Sequence, residues 1–404
     1  MSDEDDSPPQ GPLAGLRVLE LGQLLAGPWA ATLLGWFGAE VIEVEPPAGD
    51  PIRSWRVLDE GGTSYWWRSI GRNKRCVALD LRQEEGRALA KRLALECDVI
   101  VENFRPGTME RWGLGPEVFE AEKPSLIYAR VSGYGQTGPY RDRPGYASVA
   151  EAIGGLRHLT GHPGEPSVRP NLSLGDTVAG LHTALGVLVA LLERQRSGRG
   201  QVIDTALYES VFALLEAVVP EHSGAGAVRQ PSGKSLTGVV PSSLYPCAGG
   251  KHVVIGANGE TVFARLMGAI GRPELARDPR FRDNPSRVSH AETLDAIIGG
   301  WTEQRTVGQV VDALVEASVP CGPIYDAADM RADPHFQARG LYEPVEVDGR
   351  RLELPALQPR LTRTPGRTRW AGRAVGEDTD SALGDLLGLK ANDLERLRRD
   401  GIIR

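Results

Sequence analysis

The sequence is poor in cysteine, with only four among 404 residues. They are widely separated, form no C-x-x-C pair, and stand at Cys76, Cys97, Cys247 and Cys321. A disulfide framework or a structural zinc site needs paired or closely spaced cysteines, so we expect neither. The pattern suits a reducing compartment, and we expect a cytoplasmic protein.

An excess of basic residues and a long apolar run are also missing. The formal net charge is −7, which disfavours nucleic acid and anionic membranes as partners. The most apolar stretch, residues 178–192, is shorter than the ~20 residues that span a bilayer. Residues 1–12 are acidic and contain proline, unlike a targeting peptide, and we expect a disordered tail there.

What remains is the composition of an ordinary globular protein, with 41% hydrophobic and 25% charged residues. In the first half, short apolar runs alternate with helical patterns. The predicted strands are residues 17–21, 40–45, 98–103, 125–132 and 201–206, and the predicted helices are 29–37, 84–95, 177–196 and 207–219. Such alternation is typical of a Rossmann-like parallel sheet in an α/β protein.

The composition shifts to Gly, Ser and Pro around residues 221–238, which indicates a domain boundary. Beyond it, a strand at 252–255 and helices at 260–270 and 291–303 predict a smaller α+β domain. Residues 363–380 read as an extended linker and 391–400 as an amphipathic helix. We therefore predict a large domain over 13–220, a small domain over 221–330, and a linker with a C-terminal segment over 331–404.

Two turns resemble nucleotide-binding motifs without completing them. The turn from Gly22 to Gly27 lacks the middle glycine of G-x-G-x-x-G, and only Glu45, at the right distance for a ribose contact, keeps a dinucleotide site open. Residues 232–235 resemble the end of a P-loop, but Val228 stands where that motif needs glycine. We interpret 232–235 as a flexible loop instead. A further hypothesis is that backbone N–H groups of the Gly-rich segment 232–238 stabilise a negatively charged oxygen of a reaction intermediate.

The histidines do not predict a metal site, because His158 and His162 flank a Thr-Gly turn and have no evident further ligands. We interpret them as surface-loop residues. Asp176 is more informative, since it follows Gly175 and precedes a long apolar helix. It fits a helix N-cap, and it also fits a carboxylate presented to a cleft.

A basic set is predicted to lie in loops at the strand ends, where parallel sheets bind ligands. Its members are Arg72, Lys74, Arg75, Arg82, Arg105 and Arg111. Arg105 directly follows a predicted strand and is placed to meet a phosphate. Each arginine taken alone also fits a solvated basic face.

At this point the chain resembles the family III (CaiB/BaiF, formyl-CoA-transferase-like) coenzyme A transferases. The matching segments, in order, are residues 12–45, 73–81, 101–113, 133–140, 175–176, 205–210, 278–281, 284–287, 319–323 and 386–403. The resemblance implies a Rossmann-like large domain with a smaller inserted α+β domain, a C-terminal return to the large domain, and an interlocked, ring-like homodimer. It also implies acyl-CoA and a small carboxylic acid as substrates, with no permanently bound cofactor.

The resemblance assigns roles by motif. Asp176 corresponds to the aspartate that becomes acylated. Asn103, Phe104, Arg105 and Arg111 correspond to residues that bind the nucleotide and pyrophosphate of CoA. The adenine side corresponds to residues 79–82, with Leu79 and Arg82 at its ends, and the thioester region to Leu25, Ala26, Tyr146 and Ala147.

Departures from the family pattern bear on the reaction. Formyl-CoA transferases have glutamine at the position of Leu25 and glutamate at that of Ala147, so the formyl and oxalate substrates are in doubt. Related α-methylacyl-CoA racemases have histidine at the position of Tyr146, which disfavours a racemase. The racemase, an NAD-dependent dehydrogenase and a non-catalytic acyl-CoA binder remain the alternatives.

Arg157 and Arg169 flank Asp176, and we interpret them as binding a second carboxylate, such as that of succinate.

Overall fold

The computed structural model describes residues 10–404. The predicted tail over 1–12 therefore lies mostly outside the described residues. Of the three tail residues that are described, Gly11 accepts a hydrogen bond from the backbone N–H of Ala14 at 3.1 Å.

Six strands form one parallel sheet in the order β3–β2–β1–β4–β5–β6. They are β1 (Arg17–Glu20), β2 (Glu40–Glu45), β3 (Lys74–Ala78), β4 (Val99–Glu102), β5 (Ile127–Ser132) and β6 (Val202–Ala206). The order is that of a doubly wound Rossmann-like sheet, in which the chain reverses its direction of travel between β1 and β4. The predicted fold class is confirmed.

Helices cover both faces of this sheet. In the part of the chain from residue 10 to 226 they are α1 (Ala26–Trp36), α2 (Tyr65–Ile70), α3 (Glu84–Leu95), α4 (Thr108–Arg111), α5 (Pro116–Glu122), α6 (Ala147–Ile153), α7 (Leu156–Leu159), α8 (Leu174–Ser197), α9 (Leu207–Phe212) and α10 (Val218–Ala225), with a 3₁₀ turn at Pro51–Ser54. Neighbouring residues of β1 serve opposite layers: Val18 packs in a cluster with α1 and α8, and Leu19 packs in a cluster with α3. Strands buried on both faces explain the nearly continuous apolar runs in the sequence.

Close packing of α8 on α1 depends on Gly180. A Cβ atom there would stand 2.8 Å from both the carbonyl oxygen of Ala26 and the Cδ1 of Trp29. Because that separation is shorter than real Cβ contacts, any side chain at Gly180 would push the two helices apart. This packing places the beginning of α8 beside the beginning of α1.

The chain divides into two compact units. The first holds the residues up to Arg157 together with Arg169–Gly226 and Gln337–Arg404, and the second holds His158–Val168 and Ala227–Phe336. The predicted domain limits at residues 220 and 330 stay a prediction, with the changes between units lying at 226 and 336. The short segment His158–Val168 was not predicted to belong with the second unit.

The second unit is α+β, as expected. Its antiparallel sheet has the order β10–β9–β8–β7 and is formed by β7 (Ser235–Leu236), β8 (Val239–Pro246), β9 (His252–Gly256) and β10 (Cys321–Pro323). The helices after β9 are α11 (Glu260–Ala269), α12 (Asn284–Ser289), α13 (Ala291–Thr302), α14 (Val307–Glu316), α15 (Ala327–Ala332) and α16 (Pro334–Ala338), with 3₁₀ turns at Ala248–Gly250 and Pro273–Arg277. Tyr245, Phe263, Phe281 and Ile298 are fully buried in its core.

The C-terminal part of the chain adds an unpredicted hairpin of β11 (Tyr342–Val347) and β12 (Arg350–Pro355). After a largely extended stretch come α17 (Thr379–Leu387) and α18 (Ala391–Arg399). Leu383 of α17 and Leu397 of α18 are buried in the cluster that contains Leu19. The C-terminal segment therefore returns to the first unit, as the resemblance implied.

Two helix predictions need correction. The helix predicted over 207–219 is two helices, α9 and α10, because the chain between them includes Glu216 at φ 48°, outside helical geometry. The stretch 178–192, judged too short for a membrane, belongs to α8, which has 24 residues and contains an 18-residue window with a mean hydropathy of 1.5, within the range of spanning helices. One such helix is weak evidence, since core helices share these properties, and α8 packs against α1 and β5.

Strand β3 was missed because it begins with two basic residues that were assigned to a ligand-binding loop. Lys74 is fully buried, and its Nζ lies 2.7 Å from Oε2 of Glu20 in β1 and 3.1 Å from the carbonyl oxygen of Pro28. Arg75 pairs with Glu40 of β2 at 2.9 Å. Arg72 is also buried, with its guanidinium donating to backbone and side-chain oxygens. Lys74 and Arg75 therefore join β3 to neighbouring strands, and Arg72 joins the end of α2 to the C-terminal part of the chain. All three are engaged by groups of the protein itself.

Replacing Lys74 by Met should destabilise the first unit by ~3–5 kcal/mol, because it leaves Glu20 buried without its counter-charge. Glu43, buried beside this pair, is the control: burial and the nearby Glu20 raise its pKa well above the usual range, so Glu43→Gln replaces a neutral acid with an amide of similar shape. Urea unfolding followed by tryptophan fluorescence reports the first unit, which contains every tryptophan except Trp301. Equal effects of the two substitutions would contradict a stabilising Lys74–Glu20 pair.

Candidate active site

The site forms where the carboxyl ends of β1 and β4 lie side by side, at the point where the strand order reverses. Asn103 directly follows β4, and its side-chain amide bonds both backbone groups of Gln23 in the loop after β1: Oδ1 accepts from N–H and Nδ2 donates to C=O, each at 2.7 Å. Gly22 makes room for this contact, since a Cβ there would stand 3.0 Å from Oδ1 of Asn103. In open α/β sheets such a crevice is the usual ligand site.

The loop after β1 leads directly into α1 at Leu25 and Ala26. Leu24 has a φ of 64°, rare for a leucine, and its N–H donates to the carboxylate of Asp50 at 2.9 Å. Leu25 is the N-cap residue of α1, and the N–H of Trp29 donates to its carbonyl at 2.7 Å. Pro28 has no N–H, so the donors of the first turn without a partner within the helix are those of Ala26 and Gly27. The N-terminal end of α1 is therefore directed toward the crevice with backbone donors free for a ligand.

Asp176 lies in the first turn of α8, two residues after the helix begins at Leu174. The structure departs here from the prediction that Asp176 precedes the helix as its N-cap, because Ser173 has that position. Within residues 10–404 the Asp176 carboxylate makes no hydrogen bond, so both oxygens are open to a reactant. The interpretation of Asp176 as an N-cap is therefore wrong, and its interpretation as a carboxylate presented to a cleft remains.

The surroundings of Asp176 oppose its ionisation. Burial, and second the nearby carboxylate of Glu151, raise its pKa to about 7, while Arg169 acts in the opposite direction. Glu151 is fully buried and lies 3.0 Å from Arg157 and 3.5 Å from Arg169. It also accepts a long bond of 3.4 Å from the N–H of Gly175, next to Asp176. A carboxylate with a pKa near neutrality inside a crevice is typical of a functional site.

Asp176 lies between two cavities that also share Leu24, Leu25 and Tyr146. The first, which we call the sheet-edge cavity, has a volume of about 450 Å³ and is lined by the loop after β4, residues 103–106, and by residues 143–146. The second, which we call the tryptophan cavity, has a volume of about 640 Å³ and contains Trp55 and Trp66. A group on the Asp176 carboxylate can thus be reached from either side.

Most of the predicted site residues meet around these cavities. Ala26, Asn103, Phe104 and Arg105 line the sheet-edge cavity, Ala147 lines the tryptophan cavity, and Leu25, Tyr146 and Asp176 line both. Their assignment to CoA or to the thioester stays a prediction. Tyr146 is 70% exposed, which leaves its ring accessible to a ligand in these cavities.

Three predicted residues line neither cavity. Leu79 is buried in the core and pairs with Ile403 in an isolated β-bridge. Arg82 is exposed and bonded to Asp80, and the guanidinium of Arg111 donates to the hydroxyl of Thr108 at 3.0 Å. A role for them at the outer, nucleotide end of CoA stays a prediction.

Sequence reasoning missed Arg143, Arg56 and the tryptophans. Arg143 lines the sheet-edge cavity with its guanidinium 3.5 Å from the centre of the Tyr140 ring. Arg56 and Trp66 line the tryptophan cavity, and neither belongs to a motif. The only signal in the sequence was the clustering of Arg, Pro and Gly just before Tyr146.

Neither cavity is lined by a histidine, and within residues 10–404 no group of three or more His, Cys, Asp or Glu is arranged around a metal position.

Residues 232–238 belong to the second unit, and the loop predicted over 232–235 runs into β7 at Ser235. Two of its backbone N–H groups are engaged there, Gly233 with the carbonyl of Gly161 at 2.9 Å and Ser235 with that of Ser232 at 3.4 Å. A role for this loop in stabilising an oxyanion stays a prediction that these two groups do not support.

A carboxylate that is open to two cavities, beside the switch point of a Rossmann-like sheet, is an arrangement that can carry a covalently bound acyl group. The sequence matches the model of CoA-transferase family III over residues 13–379, and the chain belongs to that family. It is a CoA transferase acting on CoA thioesters, as the resemblance implied.

Named relatives and a solved structure agree with this family assignment. The chain is 48% identical over 400 residues to the succinyl-CoA–D-citramalate CoA-transferase of Chloroflexus aurantiacus, which covers 98% of this chain and 99% of that protein. It is 42% identical over 398 residues to the succinyl-CoA–L-malate CoA-transferase alpha subunit of the same species, covering 98% and 93%. A crystal structure of a CaiB/BaiF family protein from Brucella suis matches with a TM-score of 0.84 at 32% identity, covering 93% of this chain and all of that one.

The raised pKa of Asp176 predicts a pH-dependent stability effect. The folded protein binds the proton of Asp176 more tightly than the unfolded chain, where the pKa is near 3.9, so this group costs stability as pH rises to about 7. Asp176→Asn removes that cost. Its stabilisation relative to the native protein should increase between pH 5 and pH 8 by at most ~2.7 kcal/mol, at ~1.36 kcal/mol per pKa unit.

Urea unfolding of the two proteins at both pH values measures this difference, and other titrating groups cancel from it. A difference that is the same at pH 5 and pH 8 would show that the pKa of Asp176 is not raised.

Proposed function

We propose that this protein transfers CoA from succinyl-CoA to a dicarboxylic acid, with Asp176 as the covalent carrier. The observation that carries the proposal is the position of Asp176 between two cavities, both with arginines. The relatives named above use succinyl-CoA with citramalate or malate, and they match this chain along nearly its full length.

The sheet-edge cavity suits the CoA part of the thioester. Arg105 and Arg143 supply positive charge for a polyanionic ligand on a protein with a net charge of −7. The free N–H groups at the beginning of α1 are placed by Leu25 and Ala26 at the same cavity, where they can stabilise a negative oxygen. The tryptophan cavity is then left for the acyl group.

The chemistry follows from a carboxylate acting as nucleophile. Asp176 attacks the thioester carbonyl, the C–S bond breaks, and a mixed anhydride and CoA thiolate result. The thiolate then attacks the Asp176 carbonyl of the anhydride, which releases the donor acid and leaves CoA on Asp176 as a thioester. The acceptor acid repeats these steps in reverse, forming its own anhydride with Asp176 before the thiolate takes its acyl group.

The environment of Asp176 fits this cycle. A weakly solvated carboxylate with a pKa of about 7 is a better nucleophile than a fully solvated one, and it is ionised in a large fraction near neutral pH. Glu151 beneath it raises the energy of the free carboxylate, and that repulsion is relieved when Asp176 becomes an uncharged anhydride or thioester. No proton has to be taken from substrate carbon, so the lack of a histidine in either cavity favours this reaction over racemisation.

We also propose a cytoplasmic homodimer, interlocked and ring-like as the resemblance implies. One face of α8 carries large apolar side chains that are 37–62% exposed, and these are Leu181, Leu185, Leu188, Val189 and Leu192. Their spacing places them on one stripe of the helix. An apolar stripe of this size is typical of an interface, and a second copy of the chain is the occupant that we propose.

The covalent role of Asp176 is tested with succinyl-CoA and a panel of citramalate, malate and mesaconate. We expect exchange of the CoA ester by the native protein, a hydroxylamine- or borohydride-trapped adduct mapped to Asp176, and loss of both in Asp176→Ala by at least ~1000-fold. Asp312→Ala, at an exposed position in the second unit, is the matched control and should keep full activity. Transfer retained by Asp176→Ala would disprove the assignment.

The dimer is tested by the substitution Leu185→Glu together with Leu188→Glu. Charges in an apolar interface are costly to desolvate, so light scattering after gel filtration should show a change from twice the 43.6 kDa chain mass to the single chain mass. Val315→Glu, equally exposed but on α14, should remain dimeric. A native protein of 43.6 kDa would refute the dimer.

A further inference from the structure

We propose that Arg56 binds the second carboxylate of the acyl group and thereby makes the enzyme selective for dicarboxylates. This inference rests on the proposed function and assigns a residue that lies in no motif. Arg56 and Arg169 are the two arginines of the tryptophan cavity, and that cavity reaches Asp176.

The backbone holds Arg56 in an unusual conformation, with a φ of 63°. Residues on both sides are fixed: the carbonyl of Trp55 accepts from the hydroxyl of Ser64 at 2.6 Å, and the carbonyl of Val57 accepts from the N–H of Tyr65 at 3.1 Å. A left-handed conformation is unfavourable for a non-glycine residue and persists where the surrounding structure enforces it. Such positions concentrate at ligand sites.

The side chain of Arg56 is oriented without being neutralised. Its guanidinium carbon lies over the Trp66 ring, 3.8 Å from the ring centre, a cation–π contact that restrains the side chain. Among residues 10–404 no carboxylate forms a salt bridge with Arg56. Its N–H donors are therefore available to a ligand, and the planar fork of a guanidinium can pair with a carboxylate through two parallel hydrogen bonds.

Nearby arginines, unlike Arg56, are paired with carboxylates of the protein. Arg53 pairs with Glu45 at 2.7 Å, and Arg157, which we expected to bind the second carboxylate, pairs with Glu151 at 3.0 Å and does not line the cavity. Arg169 lines the cavity but shares its charge with Glu151 at 3.5 Å. Arg56 is consequently the strongest anion-binding group facing the acyl side of Asp176.

The remaining lining fits a short dicarboxylate. Ile52, Leu24 and Trp55 offer apolar contact for a carbon chain, while Ser148, Ser173 and Asn171 offer hydrogen bonds for a substituent such as a hydroxyl. With the thioester carbonyl at Asp176, the far carboxylate is directed to Arg56. A monocarboxylate of equal length leaves Arg56 unpaired and gains nothing from it.

The test compares succinyl-CoA with butyryl-CoA, which has the same number of carbons and a methyl group in place of the far carboxylate. The rate of Asp176 adduct formation gives kcat/KM for each ester. We expect Arg56→Gln to lower kcat/KM for succinyl-CoA by roughly 10- to 100-fold, the usual effect of losing a hydrogen bond to a charged group, and to change that for butyryl-CoA by less than about threefold. Arg56→Lys keeps the charge without the planar fork and should lie between.

Arg143→Gln is the matched control, since an arginine of the sheet-edge cavity should affect both esters equally. Equal losses with both esters in Arg56→Gln, or no loss with either, would overturn the assignment of Arg56 while the proposed transfer from succinyl-CoA stands. A native protein that forms its adduct from butyryl-CoA and not from succinyl-CoA would overturn both proposals. Unchanged circular dichroism in Arg56→Gln shows that the exposed substitution leaves the fold intact.

Discussion

The clamp between Asn103 and Gln23 is the contact on which the site depends. Two short hydrogen bonds join the loops that follow β1 and β4, which are remote in sequence and adjacent only because the sheet order reverses between them. The clamp fixes the path of the chain into α1, and α1 in turn receives α8 through the close approach at Gly180. Asp176 is thus held through a chain of contacts that begins at the carboxyl ends of the central strands β1 and β4.

The charged side chains around this frame have three different roles. Deep in the first unit, Lys74 is balanced by Glu20, so charge there serves the fold. Glu151, which is equally buried, engages Arg157 and Arg169 and opposes ionisation of the neighbouring Asp176. In the tryptophan cavity, Arg56 lies against an aromatic ring and has no acidic partner among the described residues. Cations that a ligand can use are those that the protein has left unpaired.

Much of the fold could be predicted from the sequence, because β1, β2, β4 and β5 are buried on both faces and read as apolar runs. Strand β3 could not, because its Lys74 and Arg75 read as a surface loop until their partners Glu20 and Glu40 are known. Asp176 was found through family resemblance, and its local pattern alone also fitted an N-cap. No sequence pattern identifies Arg56. The features that distinguish it are its left-handed backbone and its contact with Trp66, and neither periodicity nor spacing reveals them.

The segment His158–Val168 has a consequence for how the protein can be divided. It is separated from the rest of the second unit by 58 residues of the first unit, Arg169–Gly226, yet Gly161 accepts a hydrogen bond from Gly233 at 2.9 Å and His158 contacts the carbonyl of Arg229 at 3.1 Å. A recombinant fragment cut at residues 227 and 336 would lack these contacts. The second unit is therefore not a cassette that can be excised, transplanted or exchanged between homologues as one continuous piece of gene.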